Sequence, residues 1–179
     1  MTAFDVVIIS VTGLSVFFDL SARRIPNWLI VFGLAAGMTL HSYQGLNQLS
    51  HSALGFVVGI AALIIPFAFG WMGAGDVKYF GVLGALFGVS WLPRVFFYSA
   101  LVAGVIALGY MIAGHFNFSF FKNAWGDIKV AVMSMGSVFP APISIGASKP
   151  ARSVPWGVAF TAGALVAYYI DRGGQWAGF

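Results

Sequence analysis

The stretch Gly73-Ala74-Gly75-Asp76-Val77-Lys78 lies between two apolar runs and places a carboxylate and an ammonium group beside a hydrophobic environment. An ionisable side chain at the edge of the hydrocarbon region of a membrane costs free energy, so it usually marks a functional site. Two glycines within three residues predict a break between two helices here, with freedom for a positive φ angle. Asp76 then either presents its carboxylate in a polar opening or serves only as a helix N-cap.

The composition of the rest of the chain is that of a membrane protein. Of its 179 residues, 60% are hydrophobic and 8% are charged, and the mean hydropathy is +0.91. Soluble domains carry about 25% charged residues. The sequence therefore predicts an all-α, polytopic membrane protein in which residues 1–179 form a single membrane-embedded domain. Cysteine is absent, which excludes thiolate metal sites, disulfides and cysteine nucleophiles from this sequence.

Apolar segments predict a bundle of about six transmembrane helices. A spanning helix needs about 20 residues, so the second and fourth segments are short. Glycines at helix-packing spacings in the third and fourth segments indicate that these helices pack closely against other helices. The six segments run from Ala3 to Leu20, Asn27 to Leu40, Ala53 to Trp71, Val77 to Leu92, Val95 to Ala113 and Val154 to Ile170. The glycines at packing spacings are Gly55, Gly59, Gly81, Gly84 and Gly88.

The basic residues predict the orientation in the membrane, because they concentrate on the cytoplasmic side of membrane proteins. This rule places the link Tyr43–Ser50 and both termini outside, and Asp19 and Asp76 at the cytoplasmic face. The loop from His115 to Ser153 is aromatic and weakly basic, which suits either a segment in the headgroup plane or an irregular loop packed on the bundle. The cytoplasmic basic residues are Arg23, Arg24, Lys78, Lys122, Lys129, Lys149 and Arg152, against Arg94 and Arg172 outside.

Asp19 ends the first apolar segment, where a negative charge is unfavourable with the helix dipole, so capping of that helix does not explain it. An ion pair with Arg23, one turn later, is the alternative explanation. Two carboxylates at a water-accessible site can share a proton, and the ionised one can then activate water as a general base. This chemistry needs no metal. The histidines (His41, His51, His115) do not cluster with the aspartates, and the other aspartates (Asp5, Asp127, Asp171) look ordinary.

Three motifs together resemble those of the type IV prepilin peptidases. Gly73–Lys78 matches the GxGD signature, and Asp19–Asn27 resembles the other catalytic region. Val154–Ala159, followed by Gly163, is similar to the motif of the final span, with Trp156 where tyrosine is more frequent. The resemblance implies cytoplasmic-side cleavage of leader peptides from prepilin or pseudopilin precursors in the bacterial inner membrane. It assigns catalysis to Asp19 and Asp76; Gly73, Gly75, Lys78, Arg23 and Arg24 are the candidate supporting residues.

The short length resembles the small prepilin peptidases of tight-adherence pilus systems. Longer relatives contain a cysteine-bearing insertion and also N-methylate the new pilin terminus, so we expect no methyl transfer here. We expect no cofactor, no metal and no nucleic acid; the expected partners are the precursor, membrane lipid and the pilus assembly machinery. Two alternatives remain, a proton- or cation-coupled transporter that uses the same aspartates and a catalytically silent assembly scaffold. Carrier sites usually lie at the membrane midplane, which favours the peptidase.

Overall fold

The computed structural model of the chain describes residues 3–22, 24–69, 71–112 and 155–170, and the regular structure in these ranges is helical. The predicted all-α class is confirmed. Arg23, Asp127, Asp171, His115 and the loop His115–Ser153 lie outside the described residues. The helices are α1 (Ala3–Ala22), α2 (Asn27–Ser42), α3 (Leu46–Ala68), α4 (Ala74–Phe87), α5 (Leu92–Ile112) and α6 (Trp156–Ile170), with a 3-10 turn at Val89–Trp91.

The helix lengths fit a polytopic membrane bundle. Three stretches are long and apolar enough to cross a membrane, namely Phe4–Ala22, Leu46–Ala68 and Val89–Tyr110. The helices α2, α4 and α6 contain 16, 14 and 15 residues. At 1.5 Å per residue they are roughly 21 to 24 Å long, less than the hydrocarbon thickness of about 30 Å. These shorter helices therefore need flanking residues or a locally thinner bilayer if they are to reach both faces.

Helix α4 lies at the centre of the bundle and packs against α2, α3, α5 and α6. Its side chains from Tyr79 to Phe87 are all buried. A helix that is apolar on every side belongs in the interior, where each of its faces meets another helix. The aspartate in the first turn of α4 is therefore carried by the most enclosed element of the fold.

Close backbone contact holds α3 against α4; the glycine spacing predicted close packing of these helices but not that they would be each other's partner. A Cβ atom at Gly55 would overlap the carbonyl oxygen of Gly84, and one at Gly59 would lie 2.9 Å from the Cα of Gly81. Small residues are needed where helix backbones approach this closely. Gly88 is different, because it has a φ angle of 84° and ends α4. The prediction that Gly88 lines the packing face is therefore wrong.

The start of α3 also differs from its prediction. The helix begins at Leu46 instead of Ala53, so the predicted link Tyr43–Ser50 is wrong. Gly45, with a φ angle of 113°, turns the chain, and its carbonyl accepts a hydrogen bond from the amide of Leu49. The first turns of α3 are polar and mostly exposed. A search for apolar residues alone cannot detect a helical turn that continues beyond the hydrocarbon.

Candidate active site

Asp19 lies in the last turn of α1, where its side chain is 5% exposed. Its Oδ2 atom accepts a hydrogen bond of 3.0 Å from the backbone N–H of Val158, in the first turn of α6. The first four N–H groups of a helix have no partner within that helix, and this end carries partial positive charge. The carboxylate of Asp19 therefore caps α6 from a different helix. The sequence argument considered only α1 and missed this role.

Gly157 allows the carboxylate to approach α6. A Cβ atom at this position would lie 2.8 Å from Oδ2 of Asp19 and 2.9 Å from its Cγ. Real Cβ atoms essentially never come within 3.0 Å of another heavy atom. Gly157 belongs to the motif of the final span that was quoted from the sequence. Because it has no side chain, it leaves room for the carboxylate of Asp19.

Asp76 is the third residue of α4 and is partly buried. Its Oδ2 atom accepts a hydrogen bond of 3.1 Å from the backbone N–H of Gly73, which precedes the helix. Asp76 thus takes part in capping α4, although from the third position and not as the N-cap itself. The expected positive φ angle is wrong for Gly73, whose φ is −80°, and Gly75 lies within the helix. The break between α3 and α4 is confirmed.

The two aspartates lie at the same end of the bundle, which we call the aspartate end and define by Asp19, Asp76 and the start of α6. The indole N–H of Trp156 donates a hydrogen bond of 3.1 Å to the carbonyl of Trp71, just before Gly73. The first turn of α6 therefore contacts Asp19 directly and the segment before Asp76 through Trp71.

A cavity of about 390 Å³ opens beside Asp76. It contains two cationic side chains, and the Nζ atom of Lys78 donates a hydrogen bond of 3.3 Å to Oδ1 of Asn27 at the start of α2. Four of the predicted supporting residues, all except Arg23, are thus placed around one opening next to a candidate catalytic carboxylate. The cavity is lined by Arg24, Ile25, Asn27, Gly73, Ala74, Gly75, Asp76 and Lys78.

Among the described residues, no three side chains of histidine or aspartate come together as a metal-binding group. His41 lies near the end of α2, where its Nδ1 is 2.9 Å from the carbonyl oxygen of Gly37 and its ring packs against Phe4. Asp5, at the start of α1, accepts a hydrogen bond of 2.5 Å from the hydroxyl of Tyr168. Asp5 is both buried and hydrogen-bonded, which the sequence did not indicate. A metal-free reaction remains a prediction.

The same two aspartates fall within a match to a model of a known protein family. The model, described as the type IV leader peptidase family, matches residues 6–108, more than half of the 179-residue chain. The chain belongs to the type IV leader peptidase family. The resemblance found in the motifs is thereby confirmed at the level of the family, while the tight-adherence branch stays a prediction.

A curated relative supports the same family. The prepilin leader peptidase/N-methyltransferase of Bacillus subtilis (strain 168) is 29% identical over 111 residues, which cover 61% of this chain. The match covers 45% of the relative, so the chain corresponds to about half of that protein. No solved structure matches the chain. The matched family region ends before α6, so the helix that receives Asp19 is assigned here from the structure and from the quoted motif.

Proposed function

We propose that this chain is a membrane-embedded aspartic endopeptidase that removes leader peptides from type IV prepilin-like precursors at the cytoplasmic face of the bacterial inner membrane. The observation that carries the proposal is the pair of carboxylates from distant parts of the chain at one end of the bundle. Asp19 contacts the first turn of α6, the same turn contacts the segment before Asp76 through Trp71, and Asp76 borders an open cavity. Each carboxylate accepts a backbone N–H near the start of a helix.

The proposed reaction uses the two aspartates as a pair that shares one proton. The ionised carboxylate takes a proton from water, and the resulting hydroxide attacks the carbonyl carbon of the scissile peptide bond. The protonated carboxyl group donates its proton toward the carbonyl oxygen and stabilises the tetrahedral intermediate. When the intermediate collapses, the C–N bond breaks, the leaving nitrogen takes up the proton removed from water, and the carbonyl oxygen returns its proton to the carboxylate that supplied it. No electrons are transferred, and the new amine belongs to the mature pilin.

The surroundings of the cavity suit an extended substrate. Glycine backbone on one side leaves room for a second chain, and the cations Arg24 and Lys78 flank the opening. A transporter that used the same aspartates would need a route across the whole bundle. Below the aspartates, the described part of α4 is closed by buried side chains from Tyr79 to Phe87. The position of the pair at one end of the bundle therefore favours hydrolysis over transport.

Purified protein incubated with a prepilin precursor tests this proposal, with the N-terminus of the product determined by sequencing. Asp19→Asn and Asp76→Asn should each reduce cleavage by roughly 10²- to 10⁴-fold, because asparagine keeps the size of aspartate and cannot accept a proton from water. A catalytic pair acts as a unit, so the double variant should be only slightly slower than either single variant.

Asp5→Asn is the matched control, because Asp5 is also a buried aspartate of α1 but lies at the other end of that helix. This variant should cleave at nearly the wild-type rate, and Asp127→Asn and Asp171→Asn should do the same. Wild-type cleavage by Asp19→Asn at matched expression would show that this carboxylate only caps α6 or pairs with Arg23. Proton uptake into sealed vesicles without any cleavage would favour the transporter.

A further inference from the structure

Three hydroxyl groups from three different helices meet below the aspartate end. The hydroxyl of Tyr79 on α4 is 2.7 Å from Oγ1 of Thr161 on α6, which is 3.0 Å from Oγ of Ser15 on α1. All three residues are buried, with exposed fractions of 0%, 4% and 0%. Buried hydroxyl groups in a membrane bundle are costly unless they are satisfied, so a cluster of this kind fixes how its helices sit together.

The hydrogen bonds of the cluster run in one direction. The hydroxyl of Ser15 donates its single proton to the carbonyl of Thr12, at 2.8 Å. Ser15 therefore accepts from Thr161, and Thr161 accepts from Tyr79, because each hydroxyl has one proton to give. In the chain Tyr79–Thr161–Ser15 each hydroxyl group therefore donates its proton to the next member, and the final acceptor is the backbone carbonyl of Thr12. Loss of the Thr161 hydroxyl removes both interhelical hydrogen bonds of the chain, and loss of the Tyr79 hydroxyl removes the one that joins α4 to α6.

The position of the cluster relates it to the candidate catalytic residues. Tyr79 follows Asp76 by three residues, Ser15 precedes Asp19 by four, and Thr161 follows Val158 by three. Residues three or four apart lie on the same face of a helix, one turn from each other. The hydroxyl chain thus lies one turn, about 5.4 Å, deeper than the carboxylates and on the same three helices.

The packing of the bundle makes this connection important for the distance between the aspartates. Helix α1 packs on α2 and α6, whereas α4 packs on α2, α3, α5 and α6. The helices that carry Asp19 and Asp76 are therefore related mainly through α2 and α6. Side-chain hydrogen bonds join α6 to α4 and to the Asp19 end of α1 at this hydroxyl chain and at Val158.

We propose that Tyr79, Thr161 and Ser15 are positioning residues, whose hydroxyl chain sets the separation of the two carboxylates in the cleavage reaction. This inference rests on the proposed function. None of these three residues lines the cavity beside Asp76. Their loss should therefore change the rate of the chemical step more than it changes substrate binding.

Tyr79→Phe tests the proposal, because it removes only the hydroxyl and retains the buried ring. A displacement of about 1 Å at a reacting group can cost about 10²-fold in rate, so kcat should fall by roughly 10- to 100-fold while KM stays within about twofold. Thr161→Val should behave in the same way, and Thr161→Ser, which keeps the hydroxyl, should restore cleavage. The pH profile of kcat should also move, because proton sharing depends on the distance between the carboxylates.

Tyr168→Phe is the matched control. It makes the same chemical change on α6 and removes a hydrogen bond to α1, but at the opposite end of both helices, where the partner is Asp5. Both variants should lose similar thermal stability, and only Tyr79→Phe should lose turnover. A wild-type kcat and pH profile in Tyr79→Phe and Thr161→Val would overturn this inference. If Asp19→Asn and Asp76→Asn also cleaved normally, the proposed function itself would fail, which separates the two results.

Discussion

Substitution of Gly157 by alanine is the most direct perturbation of the candidate site, because it adds one methyl group against the carboxylate of Asp19. The added Cβ would lie 2.8 Å from Oδ2, whereas ordinary contacts begin at 3.4 Å. The carboxylate or the first turn of α6 must therefore move by about 0.6 Å (3.4 − 2.8 Å). When this movement is directed away from Val158, the distance from Oδ2 to the N atom of Val158 lengthens from 3.0 Å to as much as about 3.6 Å. At that separation the hydrogen bond no longer exists.

Two consequences follow from this displacement. A hydrogen bond to a charged group contributes about 1.5 to 3 kcal/mol to stability, so the unfolding free energy should fall by about that amount. Misplacement of a catalytic group by about 1 Å costs about 10²-fold, so a shift of this size should lower kcat by roughly 10- to 100-fold. KM should change much less, because Gly157 does not line the cavity.

Cleavage of a prepilin precursor by detergent-solubilised Gly157→Ala, measured at saturating substrate, provides the assay. Gly13→Ala is the matched control, because Gly13 also lies in the bundle, on α1, and a Cβ there meets no described atom within 4 Å. The control should cleave at the wild-type rate. If Gly157→Ala also keeps the wild-type kcat and thermal stability, the argument that α6 holds Asp19 in place is refuted.

Three further predictions concern topology, product chemistry and helix proximity. Reporter fusions should place Gly45 outside and Lys129 in the cytoplasm, because basic residues concentrate on the cytoplasmic side; the reverse result would contradict the proposed orientation. Mass spectrometry of pilin processed by this chain alone should find a free α-amine, since the cysteine-bearing insertion is absent; an added methyl group would refute this. Because the chain has no cysteine, Ser15→Cys with Thr161→Cys should form a disulfide on oxidation, as the native oxygens are 3.0 Å apart. Ser10→Cys, on an exposed face of α1, should not cross-link to Thr161→Cys.

The sequence predicted well those features that depend on composition and on the order of segments. The basic residues of the links predicted that Asp19 and Asp76 share one membrane face, and the glycine spacing predicted that Gly55 and Gly59 would allow close helix packing. These inferences need only the positions of the basic residues between the apolar segments and the minimal size of glycine. The start of α2 at Asn27 was also found, since Pro26 precedes it.

The contacts between helices could not be predicted, because they depend on how each helix is rotated about its axis. The hydroxyl groups of Ser15, Tyr79 and Thr161 looked like isolated polar residues in apolar segments until α6 was placed between α1 and α4. The same limitation hid the hydrogen bond between Asp19 and Val158. The sequence shows that Ser15 lies four residues before Asp19 and that Tyr79 lies three residues after Asp76. It does not show that these two side chains meet Thr161.

The hydrogen bond between Asp19 and Val158 has a consequence for the synthesis of the protein. Its donor and acceptor are separated by 139 positions in the chain. At roughly 5 to 20 residues per second, the ribosome adds Val158 about 7 to 28 s after Asp19. For about the second half of this interval α1 and α4 are both already made, yet the N–H group of Val158 that holds Asp19 does not exist. The hydrogen bond that holds Asp19 at the candidate site therefore forms only after α6, the last described helix, has been made and inserted.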